Sequence, residues 1–484
     1  MSVTNRPTDE TPLPFGVVPV VRPVRGFRPW LIGLVYFVVL LPVMVVSPLT
    51  LHPWHSANVL SRYMTIEAIV ERGTLSVERT PMMRIARPVD MVRFGDHYYS
   101  DKPPVMVVLS TPIYAAMVML GVRFTGSETQ FIVDSLMLTW LVVGTTSALG
   151  LVWLRRLLQA VPISAGLADL LTLAFGFGTQ FLTYSVTFNN HSVAAALITG
   201  AIARTILERP GGAGSSDRFA AGLLAGFAAV IDLPTGCLMV AGLGLIQTIR
   251  SRSIPGLFVV GLAGPLLLHC WLQSLVTGTP LPVEMYPAAF DYPGSFWLTP
   301  AAKFEEYGPR SLFAIELLLG PPGWLTLTPV LVFGLIDLVR LLARRTDPLR
   351  PLAAVVVGSL VVLVIYHAWI VRRTDFAGQS FGTRHLLAIT PVVYFFAIDA
   401  FGRLRGVVGR TLFWLCVLVG IFYAYHGSKD PWARIEEREL KEPTLKIAQR
   451  FVVYPWSRTR HKMALDRAQA APPQPPANPA EARP

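Results

Sequence analysis

Charged residues, cysteines and recognisable soluble domains are all scarce in this sequence of 484 residues. Charged side chains make up only 15% of the chain, whereas hydrophobic residues make up 52% and the mean hydropathy is +0.50. Such long apolar runs with so few charges exclude a soluble globular protein and predict a polytopic membrane protein. The sequence contains neither an internal repeat nor a nucleic-acid-binding motif, so no nucleic-acid partner is predicted.

The chain has three cysteines, Cys237, Cys270 and Cys416, and each lies in an apolar run. They show no CxxC or paired spacing, so they are predicted to be buried thiols, without a disulfide framework or a zinc site. His52 and His55 stand close together but have no carboxylate or third ligand nearby in the sequence, which disfavours a metal site. No cofactor is predicted, although a divalent metal ion is not excluded.

The charge that is present is mainly positive, and the apolar runs between the charges are long. The 42 Lys and Arg residues outnumber the 30 Asp and Glu residues, for a net charge of +12, as expected for basic cytoplasmic loops in contact with membrane lipids. Because about 20 apolar residues cross the hydrocarbon core, the runs predict an all-α integral membrane bundle of about eleven transmembrane helices. The predicted spans are 29–48, 131–154, 165–186, 191–208, 219–232, 234–249, 255–275, 320–339, 352–371, 385–402 and 408–426. The two spans around Pro234 alternatively form one helix that is broken at this proline.

The positive-inside rule orients the bundle. The run 103–122 is long enough to span but contains three prolines, and if it lies along the outer interface, the short basic connections all fall on the cytoplasmic side. Residues 1–28 are then a cytoplasmic segment before a retained signal anchor, residues 29–426 form the transmembrane domain, and the tail 427–484 lies outside with a disordered end. We expect the chain in a bacterial inner (plasma) membrane.

This orientation leaves four connections on the outer face. They are the first loop 49–130, the turn 188–191, the later loop 276–319 and the segment 372–384. Long ordered loops are more often functional than structural. Three of the four contain arginines on the side where the general bias disfavours them, which predicts an anionic partner at this face.

The first loop concentrates charge and predicts a helix over 59–72, capped by Asn58 and ended by Gly73. Apolar residues form one stripe of this helix, as in an interfacial helix whose charged side chains reach towards water. Glu67 lies at the edge of the stripe, which is a costly place for a carboxylate without a partner or a task. The alternatives are therefore a helix on the membrane surface and a functional role for Glu67.

The segment 98–104 places a carboxylate and an ammonium group before a helix that begins with proline. Ser100 or Asp101 is a candidate cap for that helix. In the functional interpretation, Lys102 and the helix N-terminus face an anionic group. Asp101 is then close enough to accept a proton or to orient Lys102.

The second outer turn carries three adjacent polar residues, Asn189, Asn190 and His191. A helix N-cap by Asn190 explains one of them, and the others leave room for hydrogen bonds to a substrate. Asp169 and Asp232 lie within predicted spans, where a carboxylate is costly unless it is paired or faces a cavity.

The last outer segment places Arg372, Arg373, Asp375 and Arg384 within thirteen residues. Anchoring at the membrane interface accounts for the first two arginines. The planar guanidinium group of Arg384 suits bidentate binding of phosphate. The later loop 276–319 is either a solvated loop or part of an acceptor site.

Four pieces of sequence follow one another on the outer face. They are Ser61-Arg62-Tyr63 with Gly73 eleven residues after the arginine, Tyr99-x-Asp101-Lys102-Pro103-Pro104, Gly320-Pro321-Pro322-Gly323-Trp324, and Gly382-Thr383-Arg384-His385. This order resembles the polyprenyl-phosphate-sugar-dependent glycosyltransferases of the GT-C fold, which include the aminoarabinose transferases of lipid A and the protein O-mannosyltransferases. The resemblance follows most of the span order loosely, and its specific part is limited to the first loop and the Arg384 motif.

The resemblance implies a membrane glycosyltransferase that moves a hexosyl or pentosyl group from a polyprenyl-phosphate donor to a lipid, glycan or protein acceptor. Family members carry a catalytic aspartate just before the Arg-Tyr pair, where this chain has Asn58-Val59-Leu60, so Asp101 or Glu67 is the candidate base. The residues expected to bind the donor and its phosphate are Arg62, Tyr63, Tyr99, Lys102, Asn190, His191, Arg384 and His385. The alternative is a transporter or flippase for a lipid-linked or anionic solute, against which no inverted repeat is visible. A non-catalytic partner in envelope assembly is a third possibility.

Overall fold

The computed structural model describes residues 28–46, 56–207, 214–298, 310–370, 380–433, 435, 438 and 441–450. Within these ranges the chain is mostly helical, with one short β-hairpin. The helices are α1 (Arg28–Val45), α2 (Ala57–Arg72), α3 (Pro104–Met119), α4 (Glu128–Thr139), α5 (Thr145–Leu157), α6 (Ala165–Gly178), α7 (Gln180–Ser185), α8 (Asn190–Ile206), α9 (Ser215–Ile231), α10 (Leu233–Ser251), α11 (Gly256–Thr277), α12 (Arg310–Leu319), α13 (Trp324–Leu327), α14 (Leu331–Ala343), α15 (Arg350–Ile365), α16 (Thr390–Arg403), α17 (Val407–Lys429) and α18 (Pro443–Arg450), and the strands are β1 (Met91–Phe94) and β2 (His97–Ser100).

Helices occupy every position at which hydropathy predicts a span, which confirms the all-α polytopic fold. Seven of the described helical stretches are long and apolar enough to cross a membrane, or eight if the bent pair Phe313–Leu327 and Leu331–Ala343 is one span. The other predicted spans correspond to α6 with α7, to α8 and to α9, which are shorter. Helices α6 and α7 are separated at Thr179, whose backbone is extended.

Ion pairs between helices collect at one end of the bundle. Arg155 near the end of α5 lies 2.5 Å from Asp169 near the start of α6, and Arg28 at the start of α1 also pairs with Asp169. Asp169 is therefore paired, as its place in a predicted span requires. Further pairs on this side join Arg204 of α8 to Asp217 of α9, and Arg403 of α16 to Asp337 of α14. Because the helices alternate in direction, the first loop, the α7–α8 turn and the start of α16 lie at the opposite end.

Helices α9, α10 and α11 form a closely packed unit in which α10 runs antiparallel to the other two. The chain reverses at Asp232, the single residue between α9 and α10, so the alternative of one helix broken at Pro234 is wrong. A Cβ atom on Gly236 would lie 2.4 Å from a carbonyl oxygen of α9, and one on Gly222 would lie 2.0 Å from that of Phe258 in α11. Glycine therefore permits the close approach of backbones that apolar helix packing requires.

Helix α2 is buried on all sides over residues 59–68, so it is not the surface helix that its apolar stripe predicts. The Oγ of Ser56 accepts a hydrogen bond from the backbone N–H of Val59 at 3.4 Å. Ser56 is thus the N-cap, and the predicted cap Asn58 is wrong because the helix begins earlier. Gly73 ends the helix as predicted, with a φ of 66° that favours glycine.

The rest of the first loop forms the antiparallel β1–β2 hairpin and then α3, which packs against α2, α9 and α11. Neither Ser100 nor Asp101 caps α3, which begins at Pro104 without a side-chain cap. The Oγ of Ser100 instead accepts a hydrogen bond from the backbone N–H of Lys102 at 3.3 Å. The position of α3 along the interface stays a prediction.

The chain after α17 returns to the end of the bundle that carries the first loop. The backbone N–H of Phe381 donates to the carbonyl oxygen of Pro431 at 3.0 Å. Ile435 and Leu445 are buried with Phe381 in a small hydrophobic cluster. The start of the tail is therefore packed, and the predicted disorder of its far end lies outside the described residues.

Candidate functional site

Side chains from widely separated segments meet at the end of the bundle opposite the basic helix ends of α5, α8, α14 and α16. Seven of the ten predicted site residues belong to this group, and their roles stay predictions. We define the polar cluster as Arg62, Asp90, Asp101, Lys102, Asn190, His191, Asp232, His367, Arg384 and His385.

Arg62 is a buried cation in α2, with only 1% of its surface exposed. Its Nη1 donates to the carbonyl oxygen of Asn58 at 3.3 Å, and its Nη2 donates to Oδ1 of Asn190 at 3.0 Å. Its Nε is buried and has no hydrogen-bond partner among the described residues. Burial lowers the pKa of Arg62 to about 10, and Arg384 adds to this effect while Asp101 opposes it.

Lys102 lies between two carboxylates of the first loop. Its Nζ is 3.1 Å from Oδ2 of Asp90 and 3.0 Å from Oδ1 of Asp101. Burial opposes the charge of Lys102, but these two carboxylates outweigh burial and raise the pKa of Lys102. Burial is also the main cause that raises the pKa of Asp101 to about 6, with Asp90 adding to it and Lys102 opposing it. Asp101 is therefore ionised at neutral pH but gains a proton under mildly acidic conditions.

His191 and Asp232 form a buried pair at the start of α8 and the α9–α10 turn. Nδ1 of His191 lies 2.7 Å from Oδ2 of Asp232, so the carboxylate that hydropathy placed in a span has a partner. Asn189, and not the predicted Asn190, caps α8, because its side-chain oxygen accepts from the backbone N–H of His191 at 2.9 Å. Asn190 is thereby left to accept the hydrogen bond from Arg62.

Two further histidines lie beside this pair. The ring of His385 meets that of His191 edge-on at a centroid distance of 5.6 Å and stacks on that of His367 at 4.3 Å. The sequence analysis missed His367 and Asp90, because neither stands in a recognisable motif. A titratable residue at the end of an apolar span is the signal that could have found His367.

The segment that carries Arg384 is held from two sides. Oγ1 of Thr383 donates to the carbonyl oxygen of Pro322 at 3.0 Å, so two of the sequence motifs contact each other. The guanidinium carbon of Arg384 lies 5.0 Å from the ring centroid of Trp432, a cation–π distance. Nε1 of Trp432 in turn donates to Oγ1 of Thr187 at 2.9 Å. The C-terminal segment thus covers Arg384.

Three predicted site residues lie apart from the polar cluster. Glu67 forms a bidentate ion pair with Arg72, and five residues along a helix place it about 140° around α2 from Arg62. Tyr63 is a core residue packed among aromatic rings. Tyr99 packs in an apolar group formed by the β-hairpin and the later loop. The structure does not bring these side chains to the cluster.

A small cavity of about 20 Å³ lies beside Trp432. Its lining is mostly apolar, with a few hydroxyl groups. The lining residues are Met44, Val59, Tyr63, Ser135, Leu136, Thr139, Val186, Thr187, Phe188, Pro431 and Trp432. Trp432 also contacts Arg384. The indole ring of Trp432 therefore lines the cavity and packs against the polar cluster.

Among the described residues, no group of three or more His, Cys, Asp or Glu side chains is arranged to hold a metal ion. The expectation of no cofactor stays a prediction. The sequence candidates that lie outside the described residues are His52, His55, Arg372, Arg373 and Asp375.

Comparison with known proteins finds a weak similarity to a solved structure. No family model matches the sequence, and no curated protein matches it. The chain is similar to the crystal structure of ArnT from Cupriavidus metallidurans bound to undecaprenyl phosphate, with 12% identity and a TM-score of 0.48, over 84% of this chain and 76% of that chain. Values of this size assign neither family nor activity, so the function proposed below rests on the described side chains.

Proposed function

We propose that this chain is a membrane glycosyltransferase that uses a polyprenyl-phosphate sugar as donor and acts at the non-cytoplasmic face. The observation that carries the proposal is Arg62, which is buried, has an unsatisfied Nε and forms no ion pair within the described residues. Arg384 lies within electrostatic range of it. Asp101, Asp90 and Asp232 also act on Arg62 and partly offset the second cation, but none of them forms an ion pair with it. An anion that reaches the unsatisfied Nε of Arg62 would complete the site.

A phosphate group has the chemistry to complete this site. Its oxygens accept charge-assisted hydrogen bonds from guanidinium and ammonium groups, and a guanidinium group offers two parallel donors. When a sugar leaves a polyprenyl-phosphate donor, the phosphate gains one negative charge. Arg62, Lys102 and Arg384 would stabilise this charge more strongly after the bond breaks than before, which is the condition for catalysis.

The position of the polar cluster supports action at the non-cytoplasmic face. The opposite end of the bundle carries the basic helix ends of α5, α8, α14 and α16, which the positive-inside rule assigns to the cytoplasm. The long apolar helices leave only the ends of the bundle in contact with lipid headgroups, where the phosphate of a lipid-linked sugar lies.

Binding of undecaprenyl phosphate to the protein in lipid nanodiscs tests the proposal. Loss of one charge-assisted contact costs about 1.5–3 kcal/mol, so Arg62→Gln is expected to weaken binding by about 10- to 150-fold. The matched control is Arg79→Gln, because Arg79 is an exposed arginine of the same loop. Unchanged binding by the Arg62 variant contradicts the proposal.

Mass spectrometry of envelope glycans and glycolipids, with and without the gene, then tests for transfer. We expect at least one sugar modification that depends on the gene and is lost in Arg62→Gln but kept in Arg79→Gln. Movement of undecaprenyl phosphate across vesicles without any covalent product would instead identify a transporter or flippase.

A further inference from the structure

We propose that His191 is the general base that takes the proton of the acceptor hydroxyl group, and that Asp232 is the residue that positions it. This inference rests on the proposed glycosyl transfer and names the proton acceptor of that same site. It replaces the expectation from the sequence that Asp101 or Glu67 is the base.

The two carboxylates predicted as bases are both held by cations. Both oxygens of Asp101 lie within ion-pair distance of Nζ of Lys102, at 3.0 and 3.1 Å. Glu67 is paired in the same way with Arg72, on another side of α2. A carboxylate that accepts a proton loses its ion pair, which opposes the transfer. In Asp101 burial acts against this effect of Lys102 and raises the pKa to about 6, so Asp101→Asn is included in the test below.

The geometry of His191 is that of an oriented base. An ionised carboxylate only accepts hydrogen bonds, so the contact with Asp232 places the ring proton on Nδ1 and leaves the lone pair on Nε2. Nε2 has no hydrogen-bond partner among the described residues, and the backbone N–H of His191 is fixed by the cap residue Asn189. A histidine held by a carboxylate through Nδ1 is the arrangement that prepares Nε2 to accept a proton.

The base is joined to the phosphate site through the chain itself. Asn190, the neighbour of His191 in sequence, accepts the hydrogen bond from Arg62. The proposed base is therefore adjacent in the chain to the residue that contacts the proposed phosphate-binding arginine. The charged and titratable groups that face His191 from the surrounding elements are Asp232, Arg62, Arg384, His367 and His385.

The acceptor oxygen forms a bond to the anomeric carbon, while the bond from that carbon to the phosphate oxygen breaks and its electron pair leaves with the phosphate. The hydroxyl proton moves to Nε2 of His191, and Asp232 stabilises the positive charge of the ring. The proton then passes to the released phosphate or to water, which restores neutral His191.

Transfer rates and binding measured together test the assignment. The rate is the rate at which the gene-dependent product forms in membranes that contain equal amounts of each variant. Binding is measured with undecaprenyl phosphate. His191→Gln is expected to reduce the rate by about 10²- to 10⁴-fold and to leave binding within about threefold, because only proton transfer is lost. His191→Asn provides a second variant, since its amide N–H can keep the bond to Asp232. The matched control is His269→Gln, because His269 is a buried histidine of α11 outside the cluster.

Two further measurements separate a positioning role of Asp232 from a structural one. Asp232→Asn is expected to reduce the rate with binding unchanged, and Asp232→Glu is expected to restore part of it. In the wild type the rate falls on the acidic side as His191 gains a proton, and this limb of the pH profile is absent in His191→Gln.

The outcomes that overturn the inference are distinct from failure of the proposed function. If His191→Gln and His191→Asn keep more than about a third of the rate, or if Asp101→Asn alone loses the rate with binding intact, His191 is not the base. If the wild type neither binds undecaprenyl phosphate nor yields a gene-dependent sugar product, the proposed function has failed, and the inference falls with it.

Discussion

Replacing Asp101 with asparagine is expected to tighten phosphate binding at neutral pH. Asp101 lies 3.0 Å from Nζ of Lys102, and a phosphate oxygen on the other side of that ammonium group would lie about 6 Å from the carboxylate. At an effective dielectric constant of about 20, two unit charges at this distance repel by about 3 kcal/mol, which corresponds to about 100-fold in affinity before screening. The Asp101→Asn variant removes this repulsion.

The pH dependence follows from the raised pKa of Asp101, which is about 6. Above that value the wild type carries the repulsive carboxylate, and below it the carboxyl group is neutral. Affinity in the wild type should therefore rise as the pH falls through about 6. In Asp101→Asn the side chain is neutral at every pH. Its affinity should therefore be high at every pH and should lack the rise that Asp101 causes.

The probe must keep one charge over the whole range. A polyprenyl phosphate methyl ester is suitable, because it lacks the second phosphate ionisation near pH 6. Dissociation constants are compared in nanodiscs at about pH 5 and about pH 7.5 for both proteins. Protonation of the histidines in the cluster affects the affinity of both proteins alike. The difference in pH dependence between the wild type and Asp101→Asn therefore reports the protonation of Asp101. Weaker binding by Asp101→Asn at neutral pH, or an identical pH dependence of the two proteins, would refute the reasoning.

Two further predictions concern stability, measured as thermal unfolding in detergent. Asp169→Asn leaves the buried Arg155 without its carboxylate and is expected to cost about 3–5 kcal/mol, whereas the control Asp96→Asn, at an exposed pair, should cost under about 1 kcal/mol. Gly222→Ala places a Cβ atom 2.0 Å from a carbonyl oxygen of α11 and should destabilise the protein, whereas Gly264→Ala, where nothing lies within 4 Å, should be neutral or slightly stabilising. Equal effects in either pair would contradict the packing described.

The helices were predictable because their signal is local. Apolar runs, with charges at their ends, mark each span in the sequence itself, and the positive-inside rule adds which ends lie together. The convergence of Lys102, His191 and Arg384 followed from the same reasoning, since all three lie in or beside the connections that were assigned to one side. Gly73 was also predictable, because a left-handed helix end favours glycine.

What depended on tertiary contacts was not predictable. Amphipathicity placed α2 on a surface, but α3 and the neighbouring spans cover its other sides, so Arg62 is buried. The partner of Asp232 could not be read from spacing, because His191 is 41 residues away. Ser56 and Asn189 as caps were missed by one or two residues, which is the ordinary uncertainty of helix ends.

The indole of Trp432 links two regions of different polarity. It contacts the guanidinium group of Arg384 and also lines the apolar cavity. The cavity of about 20 Å³ is too small for a hydrocarbon chain as it stands, so a chain would enter only by shifting this ring, which would change the surroundings of the arginine. By thermodynamic reciprocity, an anion that binds Arg384 alters the affinity of the cavity for hydrocarbon to the same extent. A lipid ligand would thus be sensed through its tail and its headgroup by a single side chain.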